Sequence, residues 1–135
     1  MSTTASNDYI INSLHELTNN GLFNIERIEY DEKNFGNTIV LLRTNNQVYI
    51  RFVKDRGSVW CEVGQEGDWY YLEDVLKLYG STMEIKSVAF HDYIEEVSKL
   101  IKLNFSSILR VFTSAESQVL KNRIKEQAIK RALTS

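Results

Sequence analysis

The chain has few of the residues that usually indicate a particular chemistry. Its 135 residues include no proline, two histidines and a single cysteine, Cys61. One cysteine excludes an intramolecular disulfide framework, and the sequence has neither a secretory signal nor an apolar run of about 18 residues. We therefore expect a cytoplasmic protein without a membrane segment. Glycine-rich phosphate loops and the GxSxG and SxxK nucleophile motifs are absent as well.

The histidines and the cysteine are too scattered to predict a metal site. His15, Cys61 and His91 lie far apart in the sequence, whereas a tetrahedral zinc site usually takes paired ligands from one element. Cys61 also has the same strand parity as its apolar neighbours Val59 and Val63, which predicts a buried thiol rather than a nucleophile. We expect no metal, no cofactor and no catalytic residue.

The composition is that of a folded globular protein. Hydrophobic residues make up 43% of the chain and charged residues 25%, and no repeat or low-complexity tract divides it. We predict a single domain over residues 1–135. Residues 1–6 are small and polar, and we expect them to be disordered.

The formal net charge of −2 conceals a strong asymmetry. Residues 1–96 carry eight basic and sixteen acidic side chains, a net charge of −8, and residues 97–135 carry eight basic and two acidic ones, a net charge of +6. Such a chain either offers a basic tail to an acidic partner or packs its own basic helix against its acidic body.

Hydrophobic periodicity predicts an α+β fold. An N-terminal helix over residues 7–20 precedes a four-stranded antiparallel meander, a short helix that ends at Gly80, and two C-terminal helices packed on one sheet face. Asparagine, aspartate and glycine between the strands are typical of tight turns. The predicted strands are Asn24–Asp31, Thr38–Arg43, Gln47–Lys54 and Ser58–Val63.

The C-terminal half is predicted to be helical. Residues 81–88 form either an edge strand or a connector. An apolar stripe then indicates one long helix from Phe90 to Phe112, and the capping-box pattern from Thr113 to Glu116 predicts a second helix over residues 114–133.

Strand alternation assigns side chains to the two faces of the sheet. Val48, Ile50 and Phe52 point to the core, whereas the opposite face mixes aromatic and charged residues. Arg27 and Glu29 are candidates for this opposite face. Aromatic anchors surrounded by acids suit recognition of a basic protein partner. The candidate partner-binding residues are Tyr49, Arg51, Trp60, Glu62, Glu66, Asp68, Trp69 and Tyr70.

The middle of the chain resembles small bacterial proteins identified as immunity proteins of polymorphic toxin systems. The residues that carry the resemblance are Val48-Tyr49-Ile50-Arg51-Phe52, Val59-Trp60-Cys61-Glu62-Val63-Gly64, Trp69, Leu72-Glu73-Asp74-Val75-Leu76 and Gly80. The resemblance implies a cytoplasmic protein that binds and blocks a cognate toxin, and it transfers no individual functional residue. Toxin nucleases are often basic, so an acidic, aromatic face would act as a decoy for their substrate.

Two other functions remain open at this point. A small-ligand or enzymatic module would use a pocket between the sheet and the long helix, with Tyr49, Arg51 and Glu62 converging on it. A nucleic-acid accessory protein would use the basic final helix, although its charges are spread around the helix and the pI is about 5.7. The basic residues of that helix are Lys121, Arg123, Lys125, Lys130 and Arg131.

Overall fold

A computed structural model describes residues 2–19, 21–33, 36–85 and 89–134, with side chains from residue 8 to residue 133. It confirms the predicted α+β class, because an antiparallel sheet packs against a set of helices. Within the described ranges, no helix has the length and apolar composition needed to cross a membrane.

The sheet has five strands in the order β1-β2-β3-β4-β5, and each strand is antiparallel to the next. The predicted number of four is wrong because β5 was missed. β5 has only four residues and runs directly into a helix, so it is too short to display a strand period. The strands are β1 (Asn24–Asp31), β2 (Asn37–Arg43), β3 (Tyr49–Asp55), β4 (Ser58–Gln65) and β5 (Asp68–Tyr71).

Two of the predicted helices are interrupted. The N-terminal helix begins at Ser2 and breaks at Leu14, and the long helix breaks at Asn104. The side-chain amide of Asn104 donates a 2.9 Å hydrogen bond to the carbonyl of Leu100, a local bond that competes with helix continuation. The helices are α1 (Ser2–Ser13), α2 (His15–Thr18), α3 (Leu72–Leu78), α4 (Phe90–Leu103), α5 (Phe105–Thr113) and α6 (Ser117–Thr134).

The turns around these helices differ in part from the predictions. Gly80 follows α3 with a φ of +78°, as predicted for a residue that ends a helix. The predicted capping box does not form, because the Thr113 hydroxyl donates to the Leu109 carbonyl and Glu116 pairs with Arg110. Residues 81–85 are an irregular connector, and residues 86–88 lie outside the described part of the chain. The predicted disorder of residues 1–6 stays a prediction.

The two faces of the sheet have different surroundings. One buried cluster joins the core face to the helices, as the strand alternation predicts. No side chain of the opposite face belongs to that cluster. The core face consists of Val40, Leu42, Val48, Ile50, Phe52, Cys61, Val63 and Tyr70, and the outer face consists of Arg27, Glu29, Ile39, Leu41, Tyr49, Arg51, Val53, Trp60, Glu62, Trp69 and Tyr71.

Candidate outer-face binding site

An arginine at the centre of the outer face is held by two neighbours. Arg51 lies opposite Glu62 across β3 and β4. Its Nε and Nη2 atoms are each 2.7 Å from Glu62 Oε1, and its guanidinium carbon lies 4.0 Å from the centroid of the Trp69 ring. The ion pair and the cation–π contact together restrict the arginine to one position, so this part of the surface is preorganised.

Gly64 allows the aromatic side chains to approach one another. It is paired with Tyr49 on β3 and with Trp69 on β5, so it separates the two rings along one row of the sheet. A Cβ atom at this position would lie 2.3 Å from the carbonyl oxygen of Asp68. Because glycine has no Cβ, β5 packs closely on β4, and the Tyr49 and Trp69 ring centroids are 6.5 Å apart.

A cleft of about 360 Å³ opens beside these rings. Its lining includes Leu41, which is only 9% exposed, and Gly67 of the β4–β5 turn. The register of β1 shifts between Ile25 and Arg27, so a bulge brings two consecutive side chains to the cleft. The remaining lining residues are Glu26, Arg27, Tyr49, Arg51, Glu66 and Trp69.

Most of the predicted site residues meet on the outer face. Four of the eight predicted partner-binding residues form one cluster, namely Tyr49, Arg51, Glu62 and Trp69. Three further predicted residues lie near this cluster. Trp60 is half-buried on the same face opposite Val53, Glu66 is exposed at the cleft, and Asp68 lies at the end of the β4–β5 turn.

Two predicted residues are exceptions. Asp68 has the core-face parity of β5 and its carboxylate pairs with Lys121 of α6, and the second exception is Tyr70. It points to the core face, where it is 7% exposed and packs against Phe112 of α5. Burial, followed by the nearby Asp68 carboxylate, raises the pKa of Tyr70 above its ordinary value. Its hydroxyl nevertheless has no partner in hydrogen-bond geometry among the described residues. Tyr70 supports the core and is not part of the binding surface.

The outer face is nearly neutral in charge, which differs from the acidic surface expected from the sequence. Arg27 Nε lies 2.9 Å from Glu29, and Arg51 pairs with Glu62. At the edge of this face, Arg43 lies 3.5 Å from Glu26. Its arginines are therefore matched by carboxylates, and aromatic area rather than net charge distinguishes the surface.

Part of the excess acid is instead paired with basic residues of α6. Lys121 Nζ lies 2.8 Å from Asp68, and the Arg131 guanidinium binds Asp74 and lies 3.9 Å from Glu73. Burial opposes ionisation of Asp68, but the bond to Lys121 and the charges of Lys121 and Lys125 outweigh it and lower the pKa of Asp68. We call Asp68, Glu73 and Asp74 the acidic corner. Of the two explanations for the charge asymmetry, the structure favours packing of the basic helix against the protein itself.

The two other functional hypotheses gain no geometric support. Tyr49, Arg51 and Glu62 converge on the outer face, whereas α4 packs on the core face, so these three residues do not converge on a pocket between the sheet and the long helix. Glu62 alone of the three lines a pocket beside α6. The basic residues of α6 do not form one exposed stripe either, because Lys121 and Arg131 bind the acidic corner.

Cys61 and His91 belong to residue types that are often catalytic or metal-binding, but their surroundings do not indicate either role. Cys61 is buried, as predicted, and burial together with the neighbouring Glu62 carboxylate raises the pKa of its thiol. His91 is exposed and lies 3.5 Å from Asp92. In the part of the chain that the structure describes, no group of three or more histidine, cysteine, aspartate or glutamate side chains could hold a metal ion.

Sequence reasoning missed four residues that shape the site. Leu41 and Gly64 have the outer-face parity of β2 and β4, so alternation could have identified both. Tyr71 also lies on this face, but only recognition of β5 would have placed it there. Glu26 reaches the cleft because of the bulge in β1, which no local sequence signal indicates.

Comparison with known proteins finds no relative from which a site could be transferred. No family model matches the chain, and neither a curated protein nor a solved structure is significantly similar to it. The resemblance to immunity proteins therefore stays a prediction, and the function has to be inferred from the surface itself.

Proposed function

We propose that this chain is a non-catalytic protein-binding module and that the outer face is its working surface. One observation carries the proposal. Within the described residues, the helices share their buried cluster with the core face alone, and α6 and residues 81–85 border the outer face at its β4–β5 edge without forming a second layer over it. A sheet face that carries large apolar side chains and lacks a second layer is typical of an interaction site.

The side chains of this face are those expected in an interface. Tryptophan, tyrosine and arginine dominate interface energetics, since they combine large contact area with hydrogen bonding. Trp60, Trp69 and Tyr49 are half-buried, and Tyr71 is 45% exposed, so each retains area for a partner to cover. Because Glu62 and Trp69 already hold Arg51, its ordering costs little additional entropy on binding.

The partner class comes from the resemblance of residues 38–80 to immunity proteins. We propose that the partner is a cognate toxin and that binding neutralises it. Neutralisation requires only a stable scaffold with a complementary surface, which is compatible with a chain that has no recognisable catalytic motif. The near-neutral outer face favours anchoring by aromatic residues over mimicry of an anionic substrate.

Capture from the native host would test protein binding. The wild-type chain is expected to enrich one polypeptide, and Tyr71→Ala on the outer face is expected to lose it. Tyr9→Ala is the matched control, because Tyr9 is 64% exposed on α1 and remote from the outer face. Enrichment that both variants retain, or no enrichment by the wild type, would contradict the proposal.

Co-production would then test neutralisation. The captured polypeptide should arrest growth when it is produced alone, and the wild-type chain should restore growth whereas Tyr71→Ala should not. A gene for a large secreted toxin beside the gene for this chain would also support the assignment. A captured polypeptide that is harmless would leave protein binding in place and exclude the toxin.

A further inference from the structure

The cleft on the outer face is large enough to receive a long side chain and is lined by aromatic, apolar and charged groups. Its volume is about 360 Å³, and the exposed fraction of Leu41 within it is 9%. The rings of Tyr49 and Trp69 stand beside it, tilted by 55° to each other. Pockets of this kind near the centre of an interface commonly receive the anchoring side chain of the partner.

Once the ion pairs around this cleft are set aside, the remaining charge is negative. Each arginine around it is paired with a carboxylate, whereas Glu66 is exposed and has no ion-pair or hydrogen-bond partner among the described residues. A positively charged group in the cleft would therefore be attracted to the Glu66 carboxylate. A negatively charged group would be repelled by Glu66, and no unpaired arginine at the cleft would compensate for that repulsion. The ion pairs of the arginines around the cleft are Arg27 with Glu29, Arg43 with Glu26, and Arg51 with Glu62.

The aromatic walls favour a cation for an independent reason. The face of an aromatic ring is electron-rich and attracts ammonium or guanidinium groups. The chain already uses this property, because the guanidinium of Arg51 lies 4.0 Å from the Trp69 ring centroid and Lys125 Nζ lies 5.8 Å from that of Tyr70. In the cleft, the Tyr49 ring provides a similar surface beside Glu66.

We infer that the cleft between Tyr49, Trp69 and Glu66 receives a lysine or arginine side chain of the partner protein. The inference rests on the proposed function, because the partner supplies the side chain. The aliphatic stem would cover Leu41 and the ring of Tyr49, and the charged head would reach the Glu66 carboxylate. This assigns the partner a basic anchor residue without requiring a basic surface overall.

A capped amino acid tests the cleft without knowledge of the partner. The ¹⁵N-labelled full-length chain would be titrated with N-acetyl-L-arginine methylamide while the two indole N–H resonances are followed. Trp69 borders the cleft and Trp60 does not, so the Trp69 signal should shift in a saturable way and the Trp60 signal should stay in place. The Trp60→Phe variant identifies the two signals.

Matched probes and variants separate charge from shape. The citrulline analogue has the shape of arginine without its charge, and the glutamate analogue has the opposite charge, so both should bind more weakly than the arginine probe. Glu66→Gln removes the carboxylate and keeps its size, and it should weaken arginine binding about two- to fivefold, as expected for an exposed charge pair. Glu126→Gln, an exposed position on α6, is the control and should leave binding unchanged.

The outcomes distinguish this inference from the proposed function. An unmoved Trp69 signal up to the solubility of the probe, equal binding of the citrulline or glutamate analogue, or an unchanged affinity in Glu66→Gln would overturn the basic anchor. If the chain still captures a polypeptide through Tyr71, only the inference fails. If the arginine probe binds at Trp69 but no polypeptide is captured, the protein-binding function fails instead.

Discussion

Truncation of Arg131 should destabilise the chain because it would leave a buried carboxylate without its partner. The Asp74 side chain is only 7% exposed and accepts hydrogen bonds from the Arg131 guanidinium. Breaking a fully buried ion pair costs about 3–5 kcal/mol. Arg131 is 43% exposed, so solvent screens the pair and we expect Arg131→Ala to lower the free energy of unfolding by about 1–3 kcal/mol.

A double-mutant cycle isolates this interaction. Asp74→Asn removes the buried charge and keeps the shape of the side chain, so Arg131→Ala should cost less in that background than in the wild type. The measurement is urea unfolding followed by tryptophan fluorescence and by circular dichroism. Arg123→Ala, on the exposed side of the same helix, is the control and should change the free energy of unfolding by less than about 0.5 kcal/mol.

Strict additivity in this cycle would refute the reasoning. It would mean that Arg131 and Asp74 do not stabilise each other and that α6 is held by its other contacts, which include the Lys121–Asp68 ion pair. If Arg123→Ala lowered the free energy of unfolding as much as Arg131→Ala does, that result would contradict the reasoning equally. Either result would reopen the possibility that the basic charge of α6 serves an external acidic partner.

Three further predictions concern the sheet. Gly64→Ala should lower the free energy of unfolding by about 1–3 kcal/mol in urea titrations, because the new methyl group would overlap the backbone of β5. The Asp68 carboxyl has a lowered pKa in the folded chain, so its stabilising contribution should be lost as the pH falls through and below 3.8. In Asp68→Asn, the free energy of unfolding should therefore fall less steeply with decreasing pH in this range than in the wild type. An unchanged dependence on pH would contradict this. Burial raises the pKa of the Cys61 thiol, so folding loses stability as the pH rises above the ordinary value of an unfolded thiol. Iodoacetamide at pH 8 should accordingly label Cys61 only in the denatured chain, as mass spectrometry would detect, and rapid labelling of the native chain would show that the thiol is accessible.

The first four strands could be predicted because their sequence signals are local. Val48, Ile50 and Phe52 alternate with more polar neighbours, and asparagine, aspartate and glycine mark the turns. β5 gives no such signal, since four residues followed at once by α3 do not establish a period. The break at Asn104 was also missed, because the apolar stripe continues on both sides of it.

The site was predictable to the extent that strand parity determines it. Tyr49, Arg51 and Glu62 were assigned to one face from alternation, and the structure brings them together. Tyr70 was placed beside Trp69 because the two are adjacent in sequence, but adjacent residues of a strand point to opposite faces. Pairing of the basic helix with the acidic corner depends on tertiary packing between distant segments, which charge counts alone cannot specify.

Side-chain footprinting of the complex with the captured polypeptide tests the central proposal most directly. Hydroxyl radicals would oxidise the free and bound chain, and mass spectrometry would compare the extent of oxidation residue by residue. We predict protection of Tyr49, Trp69 and Tyr71 on the outer face, with Tyr9 and Leu133 unchanged because they are exposed elsewhere. Protection of α6 with unchanged oxidation of the outer-face aromatic residues would show that the partner binds a different surface.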